Sequence, residues 1–322
     1  MLIVVTFSSD SRIYVAGHAG LVGSALVTRL RKASCENLIL RTRQELDLTS
    51  RDAVFQMFEQ TRPEFVFIAA ARVGGIAANM ASPVEFLVEN LDIQNNLLLA
   101  CARFRVAKTL FLGSSCIYPR DASQPMREDD FMTGPLEPTN ESYAIAKIAG
   151  IRLARALRAE HGVNVICAMP SNVYGPGDHF DLTRAHVASA LVRRFGEAKQ
   201  NLAPSVGVWG TGSARRELLH VADLADACLF LMEHYDSPEL VNVGTGEDVT
   251  IRELAETIGR LLEYQGEIQW DATKPDGMPR KVLDVSRLHG LGWRHSIGFE
   301  DGLQSLIGAF NSWQAGSKAE PA

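Results

Sequence analysis

Short apolar runs and longer segments of helical period alternate along the first half of the chain. The runs fall at 12–16, 38–40, 65–69, 109–112 and 163–168, and the helical segments at 21–32, 50–59, 83–104 and 142–161. Each run is nearly all apolar, as strands covered on both faces are, and alternation at this spacing predicts βαβ units in a parallel sheet. Beyond Pro170 the pattern loosens. Gly and Pro mark loops at 174–178 and 207–212, helices are predicted at 186–199, 221–234, 251–264 and 299–310, and 240–243 reads as one more apolar strand. The polar stretch 271–280, with two prolines and Gly277, reads as a surface loop.

Composition narrows the picture without changing it. The chain has 322 residues, 46% of them hydrophobic and 22% charged, enough for a sizeable core. A net charge of -6 supplies no field for nucleic acid, and no apolar run approaches the ~20 residues of a membrane helix. The opening Met1-Leu2-Ile3-Val4-Val5-Thr6-Phe7 is short and lacks a basic flank, so it reads as an additional N-terminal stretch rather than a signal peptide. The five cysteines, Cys35, Cys101, Cys116, Cys167 and Cys228, form no CxxC pair. An odd count without metal spacing predicts small buried thiols in a reduced, cytoplasmic protein with no metal site.

Candidate chemistry begins with Gly17-His18-Ala19-Gly20-Leu21-Val22-Gly23, between the first strand and the first helix. Glycines there allow a tight turn, a close approach to a pyrophosphate and close helix–strand packing, and the helix N-terminus then faces the phosphates. The spacing is GxxGxxG, and its strand–turn–helix context makes a dinucleotide site the expectation. At the end of the second strand, where NAD sites usually carry an acid, stand Arg41 and Arg43, which suit a 2′-phosphate and hence NADP. The fold class expected is therefore α/β, a Rossmann-type doubly wound parallel sheet with a smaller, mixed C-terminal substrate domain. Residues 1–170, with 217–245 returning to them, would bind NADP, and 171–216 with 246–322 would bind the substrate.

Tyr143 and Lys147 stand four residues apart, on one helical face. A nearby ammonium is expected to pull the phenol down from its usual pKa of ~10. Ser114, in Gly113-Ser114-Ser115-Cys116 at the end of the fourth strand, lies at the carboxyl edge where open α/β sheets take ligands. Its hydroxyl can donate to a carbonyl oxygen gaining charge. Tyr143, Lys147, Ser114 and the glycine loop together describe hydride transfer to or from a carbonyl.

The glycine loop, Gly113-Ser114-Ser115-Cys116-Ile117-Tyr118-Pro119, Glu137-Pro138-Thr139-Asn140, the Tyr143–Lys147 pair and Lys274-Pro275-Asp276-Gly277 resemble the GDP-L-fucose synthase family, within the extended short-chain dehydrogenase/reductases. The resemblance runs from about Arg12 to about Leu303. It implies 3,5-epimerisation and NADPH-dependent 4-reduction of GDP-4-keto-6-deoxy-D-mannose. The C4 ketone acidifies the protons at C3 and C5, a base removes each one, and an acid returns it on the opposite face. The resemblance makes Cys116 the base and His186 the acid. It also assigns Arg194 and Arg216 to the GDP diphosphate, Trp209 and Asp276 to the substrate, and Ser115, Pro170, Asn172 and Val173 to the cofactor. A homodimer is expected by family analogy.

One position departs from the family. Ala19 stands where an arginine commonly helps hold the 2′-phosphate, which leaves weaker NADP selectivity or some NAD use open. Other readings are a GDP-L-colitose synthase, which epimerises only C5, a plain 4-reductase, and a non-catalytic NADP sensor. Cys116 and His186 argue against the plain reductase, Tyr143 and Lys147 against the sensor. A 4,6-dehydratase would carry an acidic pair where this chain has Ser115-Cys116.

Overall fold

The computed structural model describes residues 7–182, 185–274, 276 and 278–317, with the side chains of 316 and 317 left aside. Residues 1–6 of the opening stretch, and Pro275 and Gly277 of the late loop, lie outside the described residues. In chain order the elements are β1 (Ile13–Ala16), α1 (Leu21–Lys32), β2 (Leu38–Ile39), α2 (Arg51–Thr61), β3 (Phe65–Ile68), α3 (Ile76–Ala81), α4 (Pro83–Arg103), β4 (Lys108–Leu112), α5 (Glu141–His161), β5 (Val165–Pro170) and β6 (Asn172–Tyr174). There follow α6 (Val187–Gln200), β7 (Ser205–Trp209), β8 (Arg215–Arg216), β9 (Leu218–His220), α7 (Val221–His234), β10 (Leu240–Val243), β11 (Val249–Thr250) and α8 (Ile251–Leu261). The chain continues through β12 (Glu267–Asp271), β13 (Arg280–Lys281), α9 (Ser286–Gly290) and α10 (Phe299–Ser317).

Six strands form one sheet in the order β10-β5-β4-β3-β1-β2, with every neighbouring pair parallel. Successive side chains point to opposite faces. Tyr14 and Ala16 of β1 accordingly enter one core with α2, α4 and α5, while Ile13 and Val15 enter another with α1 and α7. Burial on both faces is why these strands read as continuous apolar runs. After β1 the chain goes to β2 on one side and then to β3 on the other. That reversal opens a crevice beyond the carboxyl ends of β1 and β3, the place where doubly wound sheets take ligands.

A third apolar cluster lies under α6, α8 and α10, with β7 against it. Here one expectation is corrected. The stretch 207–212 reads as a loop from its glycines, but Ser205–Trp209 is a strand paired in parallel with β12. Val206 and Val208 are buried while Gly207 and Trp209 face outward, so the glycine occupies an exposed strand position where no side chain is needed. Strands β8, β9, β11 and β13 run only two or three residues, too short for periodicity to register. Among the described residues no helix is long and apolar enough to cross a membrane, and no group of His, Cys, Asp and Glu could hold a metal.

Candidate active site

A cleft of about 920 Å³ runs along the carboxyl ends of β1, β3, β4 and β5. At one end is the glycine loop. Gly17 has φ +82, and a Cβ there would lie 2.7 Å from the Cα of Ala70 after β3. A Cβ on Gly23 would lie 2.0 Å from the Gly17 carbonyl oxygen, so helix α1 can approach its own entry turn only because this residue is glycine. Gly20 caps α1 in extended conformation without a side-chain bond, and the first turn carries no acid. The helix end thus presents backbone N–H groups to an anion without a competing carboxylate. These features fit a dinucleotide pyrophosphate. Gly17, Gly20, Leu21, Val22 and Gly23 line the cleft with Arg41 and Arg43, whereas His18 and Ala19 do not.

In the middle of the cleft, Ser114 stands two residues beyond β4, and its Oγ accepts a 3.2 Å bond from the Cys116 amide. Lys147, buried in α5, donates from Nζ to the Leu112 carbonyl at 2.9 Å and lies 4.9 Å from the Phe111 ring centre. Its Nζ is 5.8 Å from the centre of the Tyr143 ring. Burial pushes this ammonium down to about 8. Burial also pushes the Tyr143 phenol up, with the Cys116 thiol adding to the rise and a Ser114 hydrogen bond opposing it. The expectation that Lys147 would pull the phenol down is therefore corrected: Lys147 does not figure among the groups that shift the phenol here, and burial, which disfavours the phenolate, sets the direction. A phenol that keeps its proton at neutral pH suits an acid that donates to a ketone oxygen.

Cys116 is half-buried, and two donors converge on its Sγ. Asn140 Nδ2 lies at 3.1 Å and Lys281 Nζ at 3.5 Å, which orients the sulfur toward the cleft wall they share. The other four cysteines are buried and unpaired, as expected. His186 is exposed at the start of α6 and lines the same cleft, as do His179, Asp178 and Tyr174. Ser115, Pro170, Asn172 and Val173 line it as well.

Arg216 closes the far end. Its Nη1 donates to the Met278 carbonyl at 2.6 Å. Arg194, Trp209 and Asp276 do not line the cleft. Asp276 accepts from the Thr211 amide at 2.7 Å, Trp209 is 61% exposed with Lys274 Nζ 5.8 Å from its ring centre, and Arg194 reaches the Gly207 carbonyl at 3.2 Å.

Two residues of this region escaped the sequence reading. Lys281 pairs with Arg216 through the parallel β8–β13 register, a contact with no local signature. Glu217 is fully buried, accepts from the Gly246 and Leu283 amides at 2.8 Å each, and is pushed up to about 7 by burial. Its neighbours Arg216 and Leu218 are a cation and an apolar residue, so in sequence Glu217 is indistinguishable from a surface acid.

Residues 13–244 match the model of the NAD dependent epimerase/dehydratase family. The chain belongs to that family. Its curated relatives include GDP-L-fucose synthase 1 of Arabidopsis thaliana, 53% identical over 91% of this chain and 91% of its own length. The GDP-L-fucose synthase of Escherichia coli K12 is 49% identical over 92% and 95%. A GDP-L-colitose synthase from Yersinia pseudotuberculosis is more distant, at 36% over 93% and 97%. Among solved structures, a GDP-L-fucose synthetase from Naegleria fowleri bound to NADP superposes with a TM-score of 0.89 at 27% identity, covering 97% of each chain. The Arabidopsis and Escherichia coli enzymes are thus more similar to this chain than that colitose synthase is, whereas a GDP-L-fucose synthase of Azorhizobium caulinodans, at 34% identity, is not.

Proposed function

We propose that this family member is an NADP-dependent enzyme that converts GDP-4-keto-6-deoxy-D-mannose into GDP-L-fucose by 3,5-epimerisation and 4-reduction. The observation that carries this reading is one cleft holding two proton-handling groups, Cys116 just after β4 and Tyr143 on α5. Relatives named GDP-L-fucose synthase at 49% and 53% identity support the substrate.

In this reading the glycine loop and helix α1 hold the pyrophosphate, and Arg41 and Arg43 hold the 2′-phosphate. NADPH supplies the hydride when bound. Ser114 and Tyr143 bind the C4 carbonyl oxygen and draw charge onto it, which acidifies the C3 and C5 protons. Cys116 removes each proton in turn, held in place by Asn140 and Lys281. His186 returns a proton on the opposite face, and before the second centre reacts Cys116 gives its proton to solvent and His186 takes one from it. After epimerisation Tyr143 delivers its proton to the C4 oxygen, and Lys147, charged below about pH 8, stabilises the phenolate that remains. Arg216 and Arg194 hold the diphosphate, with Trp209 and Asp276 at the GDP end. The segments 171–216 and 246–322 make up the sugar-nucleotide half, and 1–170 with 217–245 the cofactor half. Val84 and Val88 on α4 and Ile145 on α5, all exposed and apolar, support a homodimer through these helices.

Incubating the protein with GDP-4-keto-6-deoxy-D-mannose and NADPH tests the assignment. Loss of NADPH with formation of GDP-L-fucose is the expected outcome. Turnover only of the 3-deoxy analogue would replace the fucose assignment with the colitose one.

A further inference from the structure

The adenosine end of the cleft contains a carboxylate that the NADP reading leaves unused. Glu89, on α4, extends one oxygen to each of two arginines: Oε1 lies 3.2 Å from Arg43 Nη2, and Oε2 lies 2.9 Å from Arg72 Nη1. All three line the cleft. Glu45 and Asp47, after β2, accept from their own threonines, Thr42 and Thr49, although the Arg43 charge also helps hold the Asp47 carboxyl down.

The two arginines are held unequally. Arg72 is fixed three ways. Its backbone N–H donates to Asn90 Oδ1 at 2.9 Å, and its carbonyl accepts from Asn90 Nδ2 at 3.1 Å. Its guanidinium lies over Phe86 at 5.4 Å from the ring centre. The Arg43 side chain is 78% exposed and has Glu89 as its ion-pair partner, whereas Glu89 is only 17% exposed. A carboxylate so enclosed keeps a counter-ion more firmly than a surface acid does.

We propose that Glu89 is a specificity-determining residue that weakens discrimination in favour of the 2′-phosphate, by competing with it for Arg43 while Arg72 remains its resident partner. This rests on the reading of the cleft as a dinucleotide site with Arg43 at the ribose. A 2′-phosphate must take Arg43 away from Glu89 and then sit near a negative charge. A ribose 2′-hydroxyl asks for no such exchange. With Ala19 supplying no charge at the loop, the exchange at Glu89 offsets part of what Arg41 and Arg43 give the 2′-phosphate. Arg72 spares Glu89 from being left as a buried, unpaired anion when Arg43 turns away.

Calorimetric titration with adenosine 2′,5′-bisphosphate and with adenosine 5′-monophosphate tests this without turnover. Glu89→Gln is expected to raise affinity for the bisphosphate roughly five- to tenfold, the scale of one partly screened charge pair. Affinity for the monophosphate should change by less than about twofold, because that ligand makes no call on Arg43. Glu89→Met is the second variant, so that poor folding of the amide does not decide the matter. In an Arg43→Gln background the gain should largely disappear. An unchanged or lowered bisphosphate-to-monophosphate ratio in both Glu89 variants, with both ligands binding, overturns the proposal alone. If neither ligand binds the natural protein, the dinucleotide reading of the cleft falls, and the proposal with it.

Discussion

Tyr143 and Lys147 illustrate what single residues disclose. Their four-residue spacing predicts a shared helical face, and both line the cleft. Their protonation behaviour was not legible, because it depends on burial contributed by β4 and the cleft walls. The shift on Lys147 has a functional sign. A buried cation whose pKa falls to about 8 is charged below that pH and neutral above it. The rate of reduction at saturating substrate should therefore hold through neutral pH and decline above about pH 8, by up to about tenfold per pH unit. A pH profile of kcat checks this, and a rate undiminished well above that pH would mean that the charge on Lys147 plays no part. Lys281 and Asn140, the donors on Cys116, mark the limit of residue-level reading. Asn140 stood within a motif but without a role, and Lys281 reaches the sulfur only through a strand pairing between distant segments.

At the scale of elements, the parallel strands and major helices were legible because each buries a continuous face. α1 and α7 match their predicted bounds, and β10 joins the first sheet beside β5. β7 was misread because its glycine sits at an outward position, where the sheet tolerates it. The glycine loop allows a sharper test. Gly23→Ala places a methyl 2.0 Å from the Gly17 oxygen, whereas a Cβ on Gly20 meets that atom at an ordinary 3.5 Å. Gly23→Ala should lose about 1–3 kcal/mol of stability through overpacking and bind NADPH more weakly. Gly20→Ala should melt close to the natural protein. Thermal melts of the two variants check the difference, and equal melting temperatures would mean that the α1 entry turn can shift to admit a side chain.

Across the whole molecule, the cleft joins the carboxyl edge of the large sheet to Arg216 on β8 and Lys281 on β13, neighbours in a three-stranded sheet with β11. Motif order along the chain could not foretell that Cys116 and Lys281 meet. The outer face of α4 bears on assembly. Val84 and Val88, one helical turn apart, are 67% and 48% exposed. Light scattering should give a dimer, and Val88→Glu should shift it toward monomer; a natural protein that is monomeric at working concentration would contradict the proposed assembly.

The central claim is that one cleft first loosens the protons beside a ketone and then reduces that ketone. Reaction in heavy water with GDP-4-keto-6-deoxy-D-mannose and NADPH tests it most directly. The natural protein should yield GDP-L-fucose carrying deuterium at both C3 and C5. Cys116→Ser should suppress that exchange while still binding NADPH, and Tyr143→Phe should suppress NADPH consumption. Product lacking deuterium at C3 and C5, or exchange that persists at the natural rate in Cys116→Ser, would contradict the account.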